Sequence, residues 1–208
     1  IVRGVALPNH IWSSKANIDS QDVIYNIYKD YIDAGSTYLT TNTFRSTPRS
    51  YTKIGLSIED ASIIAKQSLE NAVSIAKKAS NGKCQILGSI APLEDCYMPE
   101  LFPGRDVGLY EFNCLGKWLY NSDIDIFLIE TMNSIVETRT CLDALLTFNK
   151  PKWVSFTLKD SEHLLSGDKL VDAIHLLDNY NVDAVLLNCT PLKRTSKALN
   201  IISENWSK

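Results

Sequence analysis

The chain has 208 residues, of which 45% are hydrophobic and 22% charged. That is enough for one domain with a sizeable core, and the balance is ordinary for a soluble globular protein. A formal net charge of -3 offers no global attraction to nucleic acid or an anionic membrane surface. No basic run carries interleaved aromatics, and no apolar stretch is long enough to span a bilayer. Cys84, Cys96, Cys114, Cys141 and Cys189 are scattered and odd in number, which argues against a disulfide framework and for a reducing compartment. With no signal-peptide pattern at the start, the expected location is the cytoplasm. None of the cysteines forms a CxxC pair, so there is no complete local metal motif.

Taken in order, the segment from Ile1 to Asn17 lacks helical periodicity and reads as irregular. Ser20 reads as a helix N-cap, and Val23, Ile24, Ile27, Tyr28, Tyr31 and Ile32 form one apolar face up to Gly35. Thr37 to Thr41 suits a strand, ending in Asn42-Thr43-Phe44. Ser57 and Asp60 resemble a capping box ahead of a long amphipathic helix that stops before Gly82. Cys84 to Ile90 is the next strand, followed by Ala91-Pro92 and a long loop. A helix over about Leu109 to Tyr120 precedes the strand Asp125 to Ile129, which ends at Glu130-Thr131. Ile135 to Leu146 reads as helix, Lys152 to Thr157 as strand, and Leu170, Val171, Ile174 and Leu177 line another helix. Asp183 to Cys189 has the pattern of a buried parallel strand, and a last helix is expected from about Ser196. Strands therefore alternate with helices, the signature of repeated βα units and a parallel sheet. No linker splits the chain, so one domain over 1-208 is expected.

The strand ends carry the chemistry. In a parallel sheet Asn42 and Thr43, Ser89 and Pro92, Glu130 and Thr131, Ser155 and Thr157, and Asn188 and Cys189 share one face. Asn42 reads equally as a turn cap. Glu130 follows four apolar residues, so its carboxylate is partly desolvated and needs a partner. Cys189 reads either as a small buried hydrophobe or as a reactive thiol at a strand end. His10 and His163 read as surface residues and His175 as structural. Cys84, Cys114 and Cys141 read as packing. Cys96 lies in a loop that could reach the site face. Trp12, Trp118 and Trp153 read as core or layer contacts. No Gly-rich phosphate loop and no Ser-His-Asp set is visible.

Several segments together resemble the homocysteine S-methyltransferase family. They are Trp12-Ser13-Ser14-Lys15-Ala16, Asp30 to Gly35, Thr40-Thr41-Asn42-Thr43-Phe44, Gly88-Ser89-Ile90-Ala91-Pro92, Ile129-Glu130-Thr131 and Asn188-Cys189, in the family's order across nearly the whole chain. The resemblance implies a zinc-dependent TIM (β/α)8 barrel, present here as an incomplete barrel lacking its first and last strands. It implies transfer of a methyl group from a sulfonium or quaternary ammonium donor to the zinc-bound thiolate of homocysteine, giving methionine. It also implies roles: Cys189 as one of three thiolate ligands of zinc, Glu130 on the amino group of homocysteine, and Asn42 shaping the pocket, with Thr43, Ser89 and Asn188 also at the substrate. No residue is assigned to catalysis.

Two departures accompany the resemblance. The family's Asp-Gly-Gly motif is expected just upstream of Ile1, and its Gly-Gly-Cys-Cys segment beyond Lys208. A glycine usual near the Asn-Cys pair is replaced by Leu186 or a neighbour. Two further readings therefore stand beside the enzyme. One is a non-catalytic amino-acid-binding or interaction module on a degenerate barrel. The other is an unrelated α/β enzyme with Glu130 as general acid or base. Homocysteine and a small methyl donor are the expected partners, with no nucleic acid or membrane; oligomeric state and the identity of the donor are left open.

Overall fold

The structure, a computed structural model, describes residues 3–207. Its elements are α1 (Ala16–Asp19), α2 (Gln21–Asp33), β1 (Tyr38–Thr40), α3 (Pro48–Thr52), α4 (Ile58–Ser80), β2 (Gln85–Ile90), α5 (Arg105–Asn121), β3 (Ile126–Met132), α6 (Ile135–Ala144), β4 (Lys152–Phe156), α7 (Leu170–Leu177), β5 (Ala184–Leu187) and α8 (Leu192–Asn205). The alternation read from the sequence is the alternation observed, so the chain is α/β. Among the described residues no helix is long and apolar enough to cross a membrane. Two compact units divide the chain: Ile1–Ser89 with Lys117–Ile126, and Ile90–Gly116 with Phe127–Lys208.

In the first unit β1 and β2 pair in parallel, with Leu39 opposite Ile86. The long helix α4 packs against α2 and α3. Its start is fixed by Ser57, whose Oγ accepts the Asp60 N–H at 3.1 Å, one of the orphan donors every helix start must satisfy. Ala61, Ala65, Leu69, Ala72, Val73 and Ala76 form its buried stripe. Small side chains dominate that stripe, letting neighbouring elements approach closely. Ile11, Tyr51, Ala61 and Ala65 make one core cluster, against which Leu56, Ile64 and Trp118 pack. Gly88 in β2 is explained by crowding, because a Cβ there would collide with Ile124.

In the second unit β3, β4 and β5 pair in parallel, with Val154 opposite Ile129 on one side and Val185 on the other. Phe112, Phe127, Ile129, Met132, Leu142, Leu145 and Phe156 are fully buried here. Ser134 caps α6 by accepting the Glu137 N–H at 3.3 Å. Lys152 opens β4 almost buried, and its ammonium donates to the carbonyls of Phe148 and Lys150 at 3.1 and 3.2 Å. Burial holds its pKa below the ordinary lysine value.

Several expectations are corrected. The segment before Asn17 is not wholly irregular: a 3₁₀ turn over Trp12–Lys15 leads directly into α1. Ser20 stands at the start of α2, but its hydroxyl donates to Asp19 instead of capping the helix. Helix α5 begins at Arg105, earlier than periodicity indicates, because Gly108 and Gly116 interrupt the apolar pattern. Both glycines mark close packing: a Cβ at Gly108 would lie 2.9 Å from Phe102 and Thr140, and one at Gly116 would collide with Leu145. Helix α8 starts at Leu192, directly after Pro191, which stands at the N-cap without a side-chain cap hydrogen bond. Strand β5 is half-buried along its length rather than fully buried. Trp12 is 40% exposed rather than a core filler, and stacks on Phe44.

Candidate active site

The strand ends of the second unit meet around one side chain, the amide of Asn188. Strand β3 carries the irregularity that makes this happen. Ile129 pairs with Val154 and Met132 with Phe156, so Glu130 and Thr131 together oppose the single residue Ser155. This is a β-bulge, a device that re-aims side chains at sheet ends. Thr131 has φ +60°, an unfavourable value for a β-branched residue. The bulge leaves the Thr131 N–H off the ladder, and Asn188 Oδ1 accepts it at 3.2 Å.

The same oxygen accepts the Ser155 hydroxyl at 2.9 Å. With two donors facing Oδ1, the orientation of the amide is settled. Its Nδ2 donates to Thr131 Oγ1 at 2.7 Å and to Glu130 Oε2 at 3.3 Å, and approaches Cys189 Sγ at 3.8 Å. Glu130 is half-buried, as its place after an apolar run predicts. Cys189 is exposed and has φ +49°, which overturns the reading of a small buried hydrophobe. A strained backbone at a strand end is typical of positions held for function. Thr157 donates to the Cys189 carbonyl at 3.4 Å, and Thr190 Oγ1 accepts the Leu158 N–H at 3.0 Å, so the turn after β5 is stitched to β4.

The loop after β2 also reaches this cluster. The charge of Cys189, and then burial, push the phenol of Tyr97 on this loop above the ordinary tyrosine value. Tyr97 was not singled out from the sequence, and a lone tyrosine in a long loop carries no spacing signal that would have found it. Cys96 beside it is buried, with its carbonyl accepting from Asn133 Nδ2 at 3.0 Å.

Asn42, Thr43 and Ser89 lie in the first unit, where they form a closed polar network. Asn42 Oδ1 accepts from the Ser13 hydroxyl at 2.5 Å, and its Nδ2 donates to Ser13 O and Asn17 Oδ1 at 2.8 Å each. Its backbone N–H donates to Tyr28 Oη at 3.1 Å, while Tyr28 donates to Thr40 O at 3.0 Å. Burial pushes the Tyr28 phenol far above its ordinary value. Thr43 is buried and donates to the Ser89 carbonyl at 2.7 Å; the Ser89 N–H donates to Thr41 at 3.0 Å. Near them the Arg45 guanidinium lies 4.7 Å from the Trp12 ring centre and 5.2 Å from that of Phe44.

The remaining candidates are peripheral. His10 is exposed in a left-handed conformation, His163 pairs with Asp160 at 2.9 Å in the loop after β4, and His175 is exposed on α7. Cys84 and Cys141 are buried, and Cys114 is half-buried.

Comparison with known proteins decides the family. The family profile described as Homocysteine S-methyltransferase matches residues 3–208. The chain belongs to the homocysteine S-methyltransferase family. It is 28% identical to the homocysteine S-methyltransferase of Escherichia coli K12, over 95% of this chain and 68% of that protein. It is 27% identical to homocysteine S-methyltransferase YbgG of Bacillus subtilis 168, over 99% of this chain and 70% of that protein. The metallated crystal form of the homocysteine methyltransferase MmuM from Escherichia coli superposes with a TM-score of 0.89 at 27% identity, covering 98% of this chain and 75% of that one. The chain thus spans about two thirds of the length of these curated relatives. The relatives carry enzyme names, and membership assigns the chain to the methyltransferase class of enzymes, EC 2.1.1.

The donor set of the described residues does not fit a metal ion. Among them no three His, Cys, Asp or Glu side chains gather where an ion could be held. Cys189 offers one exposed thiol, whereas a protein zinc centre takes three or four ligands. These residues alone do not make a zinc site.

Proposed function

We propose that this chain is part of an enzyme that transfers a methyl group from a sulfonium or quaternary ammonium donor to the thiolate of homocysteine, giving methionine. The observation that carries the reading is the Asn188 amide, one nitrogen of which reaches both the Glu130 carboxylate and the Cys189 sulfur. An acid and a thiol side chain at one rim suit an amino acid whose amine and sulfur are separated by three carbons. Family membership and a close superposition on MmuM support the same assignment.

In this reading Glu130 receives the ammonium group of homocysteine, held by a charge-assisted hydrogen bond. Asn188 orients Glu130 through Nδ2, and Thr131 and Ser155 fix Asn188 in turn. The thiolate lone pair attacks the methyl carbon, and the electrons of the breaking bond return to the donor heteroatom. Charges of opposite sign are neutralised as the bond forms, so the protein's task is mainly alignment. Asn42, Thr43 and Ser89 would also serve substrate binding. Cys189 would be one sulfur ligand of the family's zinc. The 208 residues would form part of a single TM barrel domain acting in the cytoplasm, consistent with the free state of all five cysteines.

The test is methionine formation by the complete natural protein from homocysteine and S-methylmethionine or a betaine. The proposal expects turnover, with Glu130→Gln raising the KM for homocysteine. No product with either donor, or an unchanged KM, would sink it.

A further inference from the structure

A second cleft opens in the second unit, and Glu130, Asn188 and Cys189 are not among its walls. Its volume is about 540 Å³, within the range of small-molecule sites. It lies between the turn Pro99–Leu101, the start of α6 and the end of the loop that precedes α7. Asp168 is fixed there, because its Oδ2 accepts the Ile135 N–H and the Ser166 hydroxyl, both at 2.7 Å. Its Oδ1 makes no hydrogen bond among the described residues. The Val136 N–H, one of the orphan donors of the α6 start, is likewise unspent there. Arg139 on α6 and Glu100 on the turn are exposed, and neither makes an ion pair among the described residues. Pro99, Ile135 and Leu165 give the cleft half-buried apolar walls.

We propose that this cleft is a second, non-catalytic site that binds an apolar α-amino acid. A lone anion would meet Asp168 and Glu100, and a lone cation would meet Arg139 and the positive end of α6. A zwitterion satisfies both sets of charges. Its carboxylate goes to Arg139 and the Val136 N–H, and its ammonium group to Asp168 Oδ1 and Glu100. The apolar walls then take an apolar side chain out of water. A second observation comes from Asn133, which is 1% exposed and joins two of the walls. Its carbonyl accepts the Ser166 N–H and its Nδ2 donates to the Cys96 carbonyl, both at 3.0 Å. Its Oδ1 is the one buried side-chain polar atom without a partner among the described residues. Such an orphan calls for a physical reason, and a polar ligand held between the walls that Asn133 joins supplies one.

The experiment titrates the complete natural protein with L-norleucine, an apolar amino acid without sulfur, and reads binding by calorimetry. N-acetyl-L-norleucine, which lacks the ammonium group, and pentylamine, which lacks the carboxylate, are its counterparts. Norleucine is expected to bind, and both counterparts to bind more weakly by about fivefold or more. Arg139→Ala and Glu100→Gln, both changes of exposed side chains, should each weaken norleucine by about fivefold, the upper end for an ion pair open to solvent. Glu130→Gln should leave this binding within about twofold, because Glu130 does not line the cleft. The proposal is overturned if norleucine does not bind, if either counterpart binds as well, if Arg139→Ala binds normally, or if Glu130→Gln alone abolishes binding. None of these readings requires methionine formation, so the cleft and the methyl-transfer reaction stand or fall separately.

Discussion

Two asparagines end strands in this protein, and they are used differently. Asn42, after β1 in the first unit, spends its amide on Ser13 and Asn17, and its backbone on Tyr28 and Asn17. Its surroundings are closed: Asn17 is fully buried and also donates to Ser68 at 3.1 Å. Asn188, after β5 in the second unit, spends its oxygen on a bulged backbone and a serine but turns its nitrogen toward a half-buried carboxylate and an exposed thiol. A polar side chain at a strand end can thus close a fold or present chemistry. What separates the two is whether its partners are themselves exposed and titratable.

The comparison predicts that substitutions in the closed network act on stability and those in the open one on substrate. The largest effect is expected at Asn17. Asn17→Leu removes the donor to Asn42 O and Ser68 and strands several buried groups. A cost of about 3 kcal/mol follows, because each orphaned buried polar group costs roughly 1–3 kcal/mol. Denaturant unfolding measures it, and a loss smaller than about 0.5 kcal/mol, the size of an ordinary surface change, would show that the network does not hold the fold. Next is Glu130→Gln, expected to raise the KM for homocysteine by about tenfold or more, the worth of a hydrogen bond between charged groups. Its melting temperature should hardly move. A drop in stability without a change in KM would place Glu130 with the closed network instead. Asn188→Ala should do some of both, weakening homocysteine binding while costing about 1–2 kcal/mol for the unsatisfied Thr131 N–H.

Cys189→Ser sharpens the contrast from another side. The side chain is exposed, so stability should stay within about 0.5 kcal/mol. Zinc bound by the complete natural protein should fall; equal zinc content in both proteins, measured by atomic absorption, would remove Cys189 from the ligand set.

The sequence made the strands legible because parallel strands buried between helices read as apolar runs, and Phe127 to Ile129 is such a run. It also marked the strand ends, since Glu130 and Cys189 break those runs abruptly. The bulge was not legible: an extra residue at Glu130–Thr131 depends on how β4 pairs, which is a tertiary matter. Nor was the commitment of Asn42 to Ser13 and Asn17, because the short helical turns that carry those two residues have no apolar period of their own. Tyr97 was hidden for a related reason, as the anchors of its loop, Asn133 just after β3 and Glu137 in α6, lie some forty residues away in sequence.

The smallest of the expected effects tests the closed network by pH. Tyr28 is buried, donates to Thr40 O and accepts from Asn42 N–H, and burial raises its pKa above the ordinary tyrosine value of 10.0. Tyr28→Phe should cost about 1 kcal/mol at neutral pH, the net worth of a typical hydrogen bond. Because the folded value is the higher one, that contribution is complete below pH 10.0 and is lost as pH rises from there through the folded value. The stability difference between natural protein and variant should therefore be flat from neutral pH to 10.0 and shrink only above it. A difference that grew with pH would mean that the phenolate is favoured in the folded state, and the network around Asn42 would then be open to charge in the way the Asn188 cluster is.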